Sequence, residues 1–365
     1  MSNPNKFMPA TLALFACIGA LAILGLLVAV SSAPPGEAGD VLLRHGSFLA
    51  AAAVAFAVGL NLNPQHVRNY SAHASVALWL LLFLMLVTGL GYTANAATRW
   101  IQVGPISLQP SLFLQVLWPI LLSSWIAKDP LRVQSVSPIF KMIGLFFVLM
   151  LPVLLQPDFG SVVILIMVSG CVMLFAGLPL RVLIVAVPVL LFVGRLAVFS
   201  FEHVESRLGV WTDGVVPQQV ERAQNAFRYG GWFGSGPGNG VFKFGYIPES
   251  TTDFVLALIV DEWGLVGVLI VWSLFTAFTF FGLRVARQSS HRYGILLMGA
   301  TTVVISFQAA YNMAMVVGAL PVKGLPLPFV SRGGSSLMAL SLLLGIAINS
   351  TRSRIRTQSD PFGIK

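Results

Sequence analysis

The sequence predicts an all-α, polytopic membrane protein of about ten transmembrane helices with one long extracytoplasmic loop. Three observations carry this. Of 365 residues, 56% are hydrophobic and 10% charged, against about 25% charged in a soluble domain, and mean hydropathy is +0.85. Ten apolar runs approach the roughly 20 residues that a helix needs to cross a bilayer. Most Lys and Arg fall in alternate connections, which places both termini on the cytoplasmic side.

The runs lie at about 8–32, 47–63, 75–93, 111–127, 138–155, 160–176, 181–199, 253–283, 293–319 and 334–350. Backbone in lipid must satisfy its own hydrogen bonds, so continuous runs are helices. Without two-residue alternation they are not barrel strands. The first run exceeds the apolar stretch of a signal peptide, although Ser31, Ser32 and Ala33 mimic a cleavage site; it reads as a retained anchor. Cys17 and Cys171 read as packing residues, with neither disulfide nor metal spacing. The net charge of +9 reflects topology and contact with anionic membrane lipid. With no basic, aromatic-studded soluble domain, nucleic-acid binding is excluded.

Residues 1–365 form one membrane domain, and 200–252 is its large extracytoplasmic loop. A loop that long is functional or disordered, and its aromatic residues argue for order. PQQVERAQNAFRYGG reads as a short helix between Pro217 and Gly230. The glycine run from Gly230 to Gly240 follows no strand and precedes no Lys-Ser or Lys-Thr, so it is not a nucleotide loop. It reads either as a flexible turn or as backbone that approaches a ligand closely or lets the loop move. Three shorter segments, Arg99 to Ser111, Gln156 to Ser161 and Leu320 to Ser336, carry Pro, Gly and polar residues on the same face. Together they suggest one outward-facing polar cavity.

YIPESTTDF, Tyr246 to Phe254, places Glu249 and Asp253 where the loop meets an apolar run. Four residues apart, they share one face if a helix has begun. Asp253 is then expected in the first helical turn, where the dipole favours its ionised form and burial opposes it. The alternative for Asp253 is a helix-end charge that completes capping with Thr251 or Thr252. For Glu249, capping or a salt bridge stands beside a site role. On a 100° wheel Glu262 points nearly opposite to Asp253 and Asp261 about 80° away, so both read as polar anchors against neighbouring helices. Asp158 either pairs with an outer Arg or lines the cavity.

RWIQVG…LQPS, QPDFGS, GSGPGNGVFKFGYIPESTTDF, DEWGLVG and LPVKGLPLPFVSRGGSS together resemble the SEDS family (shape, elongation, division and sporulation: RodA, FtsW, SpoVE). The resemblance covers about Arg99 to Arg352, with a slight lean toward FtsW from Lys243 and the PVKG at Pro321 to Gly324. It implies peptidoglycan glycosyltransfer: polymerisation of lipid II, an undecaprenyl-linked substrate, at the outer face of the bacterial cytoplasmic membrane, beside a class B penicillin-binding transpeptidase. The family's proposed catalytic carboxylate falls on Asp253. A carboxylate suits this chemistry, because an acceptor hydroxyl must lose its proton as the glycosidic bond forms. The leaving diphosphate needs positive charge, from a divalent cation (Mg2+ or Mn2+) or from Arg207, Arg222, Arg228, Lys243, Lys323 and Arg332. The matched segments further nominate Glu249, Thr252, Gln219, Asp158, Gln109, Ser111, Ser331, Gly333, Gly334 and Ser335 for substrate binding.

The chain departs from the family at several places. Leu112 and Gln115 replace a Glu and a Lys, Arg332 a Tyr, Thr251 a His, Arg222 a Gln and Asp261 a Glu. Loss of both members of an ion pair is coherent, since loss of one would strand a charge. Three functions follow as alternatives. An active polymerase keeps Asp253 in its frame. A non-catalytic scaffold that activates a transpeptidase would tolerate the departures. A lipid-linked precursor transporter would need polar residues through to the cytoplasmic side, and the carboxylates cluster outside.

Overall fold

A computed structural model describes residues 4–94, 97–103, 106–156, 158–179, 182, 184, 217–243 and 246–352. The helices are α1 (Pro4–Ser31), α2 (Ala38–Asn61), α3 (Pro64–Thr88), α4 (Leu114–Lys128), α5 (Val136–Leu155), α6 (Phe159–Phe175), α7 (Gln218–Gly230), α8 (Val255–Gln288), α9 (Arg292–Val316) and α10 (Gly334–Arg352). Eight helices are long and apolar enough to cross a membrane, and Gly160–Phe175 is a shorter apolar helix. These account for nine of the ten expected runs in order. The tenth, 181–199, lies outside the described residues apart from two positions, as does 200–216 of the long loop.

Helix ends reach beyond the apolar runs. Asn63 caps α3, its side chain accepting from the Gln65 N–H at 2.9 Å, with Pro64 in the first turn. The helix thus begins in a polar stretch that hydropathy passes over. One connector is not a turn. β1 (Tyr92–Ala94), β2 (Ala97–Val103) and β3 (Ile106–Leu108) form a small antiparallel sheet in that order. Ile101 lies opposite Leu108, and Val103 opposite Ile106. β-branched residues alternating with polar ones favour a pleated ribbon there.

The apolar core lies along α4, α9 and α10, whose central windows are 72%, 72% and 78% buried. α2 and α3, at 17% and 22%, are peripheral and leave apolar faces for lipid.

The run 253–283 was expected to be one span. α8 is instead broken at Gly264, whose φ of 64° and ψ of −162° are not helical. The glycine-rich loop takes up the hydrogen bonds that the break releases. Ser235 N–H donates to the Asp261 carbonyl at 2.9 Å, and Gly236 N–H to that of Glu262 at 3.0 Å. Leu265 N–H donates to Gly231 at 2.9 Å, and Val266 N–H to Trp232 at 3.2 Å. The freed groups are thus paired. A methyl group on Gly234 would overlap the Glu262 backbone, and one on Gly264 that of Trp232. The glycine run is therefore a backbone docking strip for α8, a reason the sequence reading did not include. Residues 265–288 remain to span, about 36 Å at 1.5 Å per residue. The segment 255–263 lies along α1: Val255 and Leu258 share a crevice with Gly25, Val28 and Ala29, and Glu262 meets Ser31.

Candidate active site

Asp253 ends a series of turns and is not in a helix. Glu249 adopts φ 54°, which lets its carbonyl collect the N–H groups of Thr252, Asp253 and Phe254 at 3.2, 3.0 and 3.1 Å. α8 begins at Val255 without a side-chain cap, so the condition for a shared helix face is not met, and the alternative reading of Asp253 as a cap with Thr251 or Thr252 does not hold. Thr252 instead donates its hydroxyl to the Glu249 carboxylate at 2.9 Å. Burial first, and the Glu249 charge second, push the Asp253 carboxyl up to about 7. Burial outweighs the pull of the helix end.

A second segment closes on this turn. The Ser331 hydroxyl donates to the Thr252 carbonyl, and Arg332 N–H to that of Thr251 at 3.0 Å. Phe329, with φ 63°, bends the chain just before. Glu249 and Phe329 are the non-glycine residues with positive φ among the described residues, and they lie on the two segments that meet at Asp253. Strain of this kind gathers where surrounding structure holds a site. A methyl group at Gly324 would stand 3.3 Å from Asp253 Oδ2, so the lack of a side chain at Gly324 lets this segment pack close to the carboxylate.

Residues 321–331 are held by one face of α9. Gln308 Nε2 donates to the Pro326 carbonyl at 3.0 Å, and Tyr311 OH to that of Pro321 at 3.0 Å. Asn312 Nδ2 donates to Leu325 at 2.6 Å and to Asp253 at 2.7 Å. Gln308 lies about 12 Å, at 1.5 Å per residue, before the end of α9, so this chain descends beside the helix and carries the site below its end. Gln308, Tyr311 and Asn312 were not anticipated. The signal was available: an amide pair four residues apart in an apolar span, which is expensive unless used.

Asp158 caps α6 and gathers a separate cluster. It accepts from Ser161 Oγ at 2.8 Å, Ser111 Oγ at 3.2 Å and Gln109 Nε2 at 3.4 Å. Ser335 joins through Gln109 N–H at 3.4 Å and the Ser107 carbonyl at 2.8 Å. Asp158 thus makes no ion pair with an arginine among the described residues. Lys323 lies beside the start of α6, where a methyl group at Gly160 would be 3.5 Å from its Cδ, and its backbone N–H points at the Met315 sulfur.

Other expected residues stand elsewhere. Lys243 forms a buried ion pair with Glu262 at 3.3 Å and donates to the Ser31 carbonyl at 3.0 Å. That correction removes it as a diphosphate ligand, because a buried, paired ammonium is already spent on structure. Glu262 also accepts from Ser31 Oγ of α1 at 2.5 Å, an anchor against a neighbouring helix, whereas Asp261 accepts from Phe242 N–H at 2.8 Å and so anchors the glycine-rich loop and not a helix. Gln219 sits half-buried on α7, with no hydrogen bond to the Asp253 turn. Arg222 stacks on Tyr246 at 4.9 Å and donates to its carbonyl. Gly333 packs on Pro326 and Gly334 on Phe48. Arg207 lies outside the described residues. Leu112 and Gln115 are 6% and 1% exposed, so the family's charged pair is replaced at buried positions.

No group of three acidic, His or Cys residues that could hold a metal gathers among the described residues. The Asp253 and Glu249 carboxylates, close enough to repel, offer two donors, which suits Mg2+ arriving with substrate phosphates. The site as a whole is one carboxylate, pushed up to about 7, beside the Thr252 and Ser331 hydroxyls, and a group of this kind can take the proton of a hydroxyl.

Comparison with known proteins agrees in sequence and fold. Residues 5–355 match the family described as cell cycle protein, FtsW/RodA/SpoVE. A probable peptidoglycan glycosyltransferase FtsW of Alcanivorax borkumensis is 33% identical over 360 residues, covering 93% of this chain and 91% of that protein. One of Saccharophagus degradans is 32% identical over 311 residues, covering 82% and 80%. Among solved structures, a chain of a peptidoglycan synthase complex superposes with TM-score 0.79 at 24% identity, covering 93% and 96%. The rod shape determining protein RodA of Thermus thermophilus gives 0.68 at 25%, covering 93% and 95%. This chain belongs to the FtsW/RodA/SpoVE family of multi-pass membrane proteins.

Proposed function

We propose that the protein is a peptidoglycan glycosyltransferase that polymerises lipid II at the outer face of the bacterial cytoplasmic membrane, with both termini cytoplasmic. The observation that carries the role of Asp253 is its carboxylate, pushed up to about 7 and held where the 249–253 turn meets the 321–331 segment. Asp253 takes the proton of the acceptor sugar hydroxyl while that oxygen bonds to the donor's anomeric carbon. The bond from that carbon to the polyprenyl diphosphate breaks, and the diphosphate leaves with the electron pair. A general base of this kind contributes about 10²–10⁴-fold when its pKa lies near the working pH. A divalent cation on Asp253 and Glu249 would supply charge to the diphosphate. Lys323, Ser331 and the Asp158 cluster with Gln109, Ser111 and Ser335 position the substrate around Asp253. The protein works beside a class B penicillin-binding transpeptidase, in cell division or elongation.

A non-catalytic scaffold is the second reading, favoured by the uncharged, buried Leu112 and Gln115. Incubation of lipid II with the purified protein and its cognate transpeptidase separates the two. Long glycan strands on a gel are expected; a scaffold leaves lipid II unpolymerised.

A further inference from the structure

The glycine-rich strip that docks on the break in α8 carries two large side chains that the protein leaves uncovered. Trp232 and Phe233 are 65% and 81% exposed. They stand between Gly231, with φ 52°, and Gly234, with φ 75°. Gly234 N–H closes this turn on the Gly230 carbonyl at 2.7 Å. Two adjacent aromatic rings on a tight, exposed turn are costly in water and mark a contact surface.

Two spans fix the height of the turn. α8 carries no charged residue between Leu265 and Arg284. The rise over that stretch is about 28 Å at 1.5 Å per residue, close to the roughly 30 Å of a hydrocarbon layer. With Arg284 at one headgroup layer, Leu265 stands at the other. The turn is bonded to that end, because Leu265 N–H donates to the Gly231 carbonyl at 2.9 Å and Val266 N–H to that of Trp232 at 3.2 Å. α1 marks the same level independently. Its apolar span ends at Ser31, whose Oγ donates to Glu262 at 2.5 Å, and the Glu262 carbonyl accepts from Gly236 N–H of the strip at 3.0 Å. The strip therefore lies along one boundary of the membrane. The exposed apolar face of α8 starts at that point with Val266 and continues as Leu269, Ile270 and Trp272.

We propose that Trp232 and Phe233 are an interfacial membrane anchor, whose rings enter the boundary between headgroups and acyl chains and hold the glycine-rich strip at that depth. The lipid surface is the occupant that the height of the turn and its continuity with α8 select. Aromatic rings suit this layer, since an apolar body meets hydrocarbon while the indole N–H reaches water or ester oxygens. The anchor also bears on Asp253. The strip is bonded to the Asp261 and Glu262 carbonyls, at the far end of the helical segment that begins beside Asp253, so the depth of the strip sets the depth of the carboxylate.

Spin-label accessibility in nanodiscs of phosphatidylethanolamine and phosphatidylglycerol tests this. In the full chain carrying Cys17→Ala and Cys171→Ala, a nitroxide is attached at Phe233→Cys, at Trp232→Cys and, as the water-facing control, at Glu221→Cys on the exposed side of α7. Each protein is first shown to be folded by its melting curve. Relative to the Glu221→Cys label, the labels at Trp232→Cys and Phe233→Cys should favour collision with oxygen over a water-soluble nickel chelate severalfold. Nickel access at both positions equal to that at Glu221→Cys would overturn the anchor. Nickel access that is lost only when the cognate transpeptidase joins the nanodisc would overturn lipid as the occupant and assign the turn to a protein partner. The measurement involves no turnover, so its outcome is independent of the polymerase reading.

Discussion

The side-chain amide of Asn312 holds the backbone of the catalytic-base candidate: its Nδ2 donates to the carbonyl of Asp253 at 2.7 Å and to that of Leu325 at 2.6 Å. One fully buried residue in α9 thus fixes two chain segments that are far apart in sequence. Asn312→Ala leaves both carbonyls without this donor, at about 1–3 kcal/mol for each buried group left unpaired. Displacing the carboxylate by about 1 Å costs on the order of 10²-fold in rate. Lipid II turnover should therefore fall far more than protein yield, and an unchanged rate would remove Asn312 from the positioning of Asp253.

The pH dependence follows from the raised Asp253 carboxyl. A base works ionised, so kcat/KM should rise as pH passes through about 7 and level off above it. Glu249→Gln removes the like charge, the smaller cause of the shift, and should move the acid limb to lower pH. Burial persists, so the limb should stay above that of an ordinary aspartate, near 3.9. Rate profiles of the two proteins in the same lipid provide the measurement.

Lys243 and Glu262, with side chains 4% and 1% exposed, form the buried pair that ties the glycine-rich loop to α1 and α8. Removing one partner strands a charge, at about 3–5 kcal/mol, while replacing both by apolar residues is often neutral. Lys243→Met alone should lower the melting temperature strongly, and Lys243→Met with Glu262→Leu should recover most of it. Additive losses would show the pair to be uncoupled.

Gly234 has φ 75°, and a methyl group there would overlap the Glu262 backbone. Gly234→Ala should lose at least about 1–2 kcal/mol from the left-handed backbone alone, and more from the overlap. A drop in melting temperature is expected. A hinge would instead leave stability intact and change only the rate.

What was legible in the sequence was what depends on one-dimensional length and charge. Apolar runs declare spans because lipid requires them, and the frame around Asp253 declared itself by placing carboxylates beside a membrane boundary. The break at Gly264 was hidden, since apolar residues flank it on both sides and only the loop's backbone explains it. Lys243 was misplaced because its partners, Glu262 and Ser31, come together only in three dimensions. Asp253 lay two residues outside the helix assigned to it, because the turn depends on the positive φ of Glu249. Asn312 was readable as a polar residue in a span, but its target was not.

The central claim is that Asp253 is the base of lipid II polymerisation. Its most direct test is strand formation from purified lipid II by wild type and by Asp253→Asn, each with the cognate transpeptidase and each shown to be folded by its melting curve. The account predicts strands from the wild type and a loss of about 10²-fold or more from Asp253→Asn. Strands made equally well by both would contradict it.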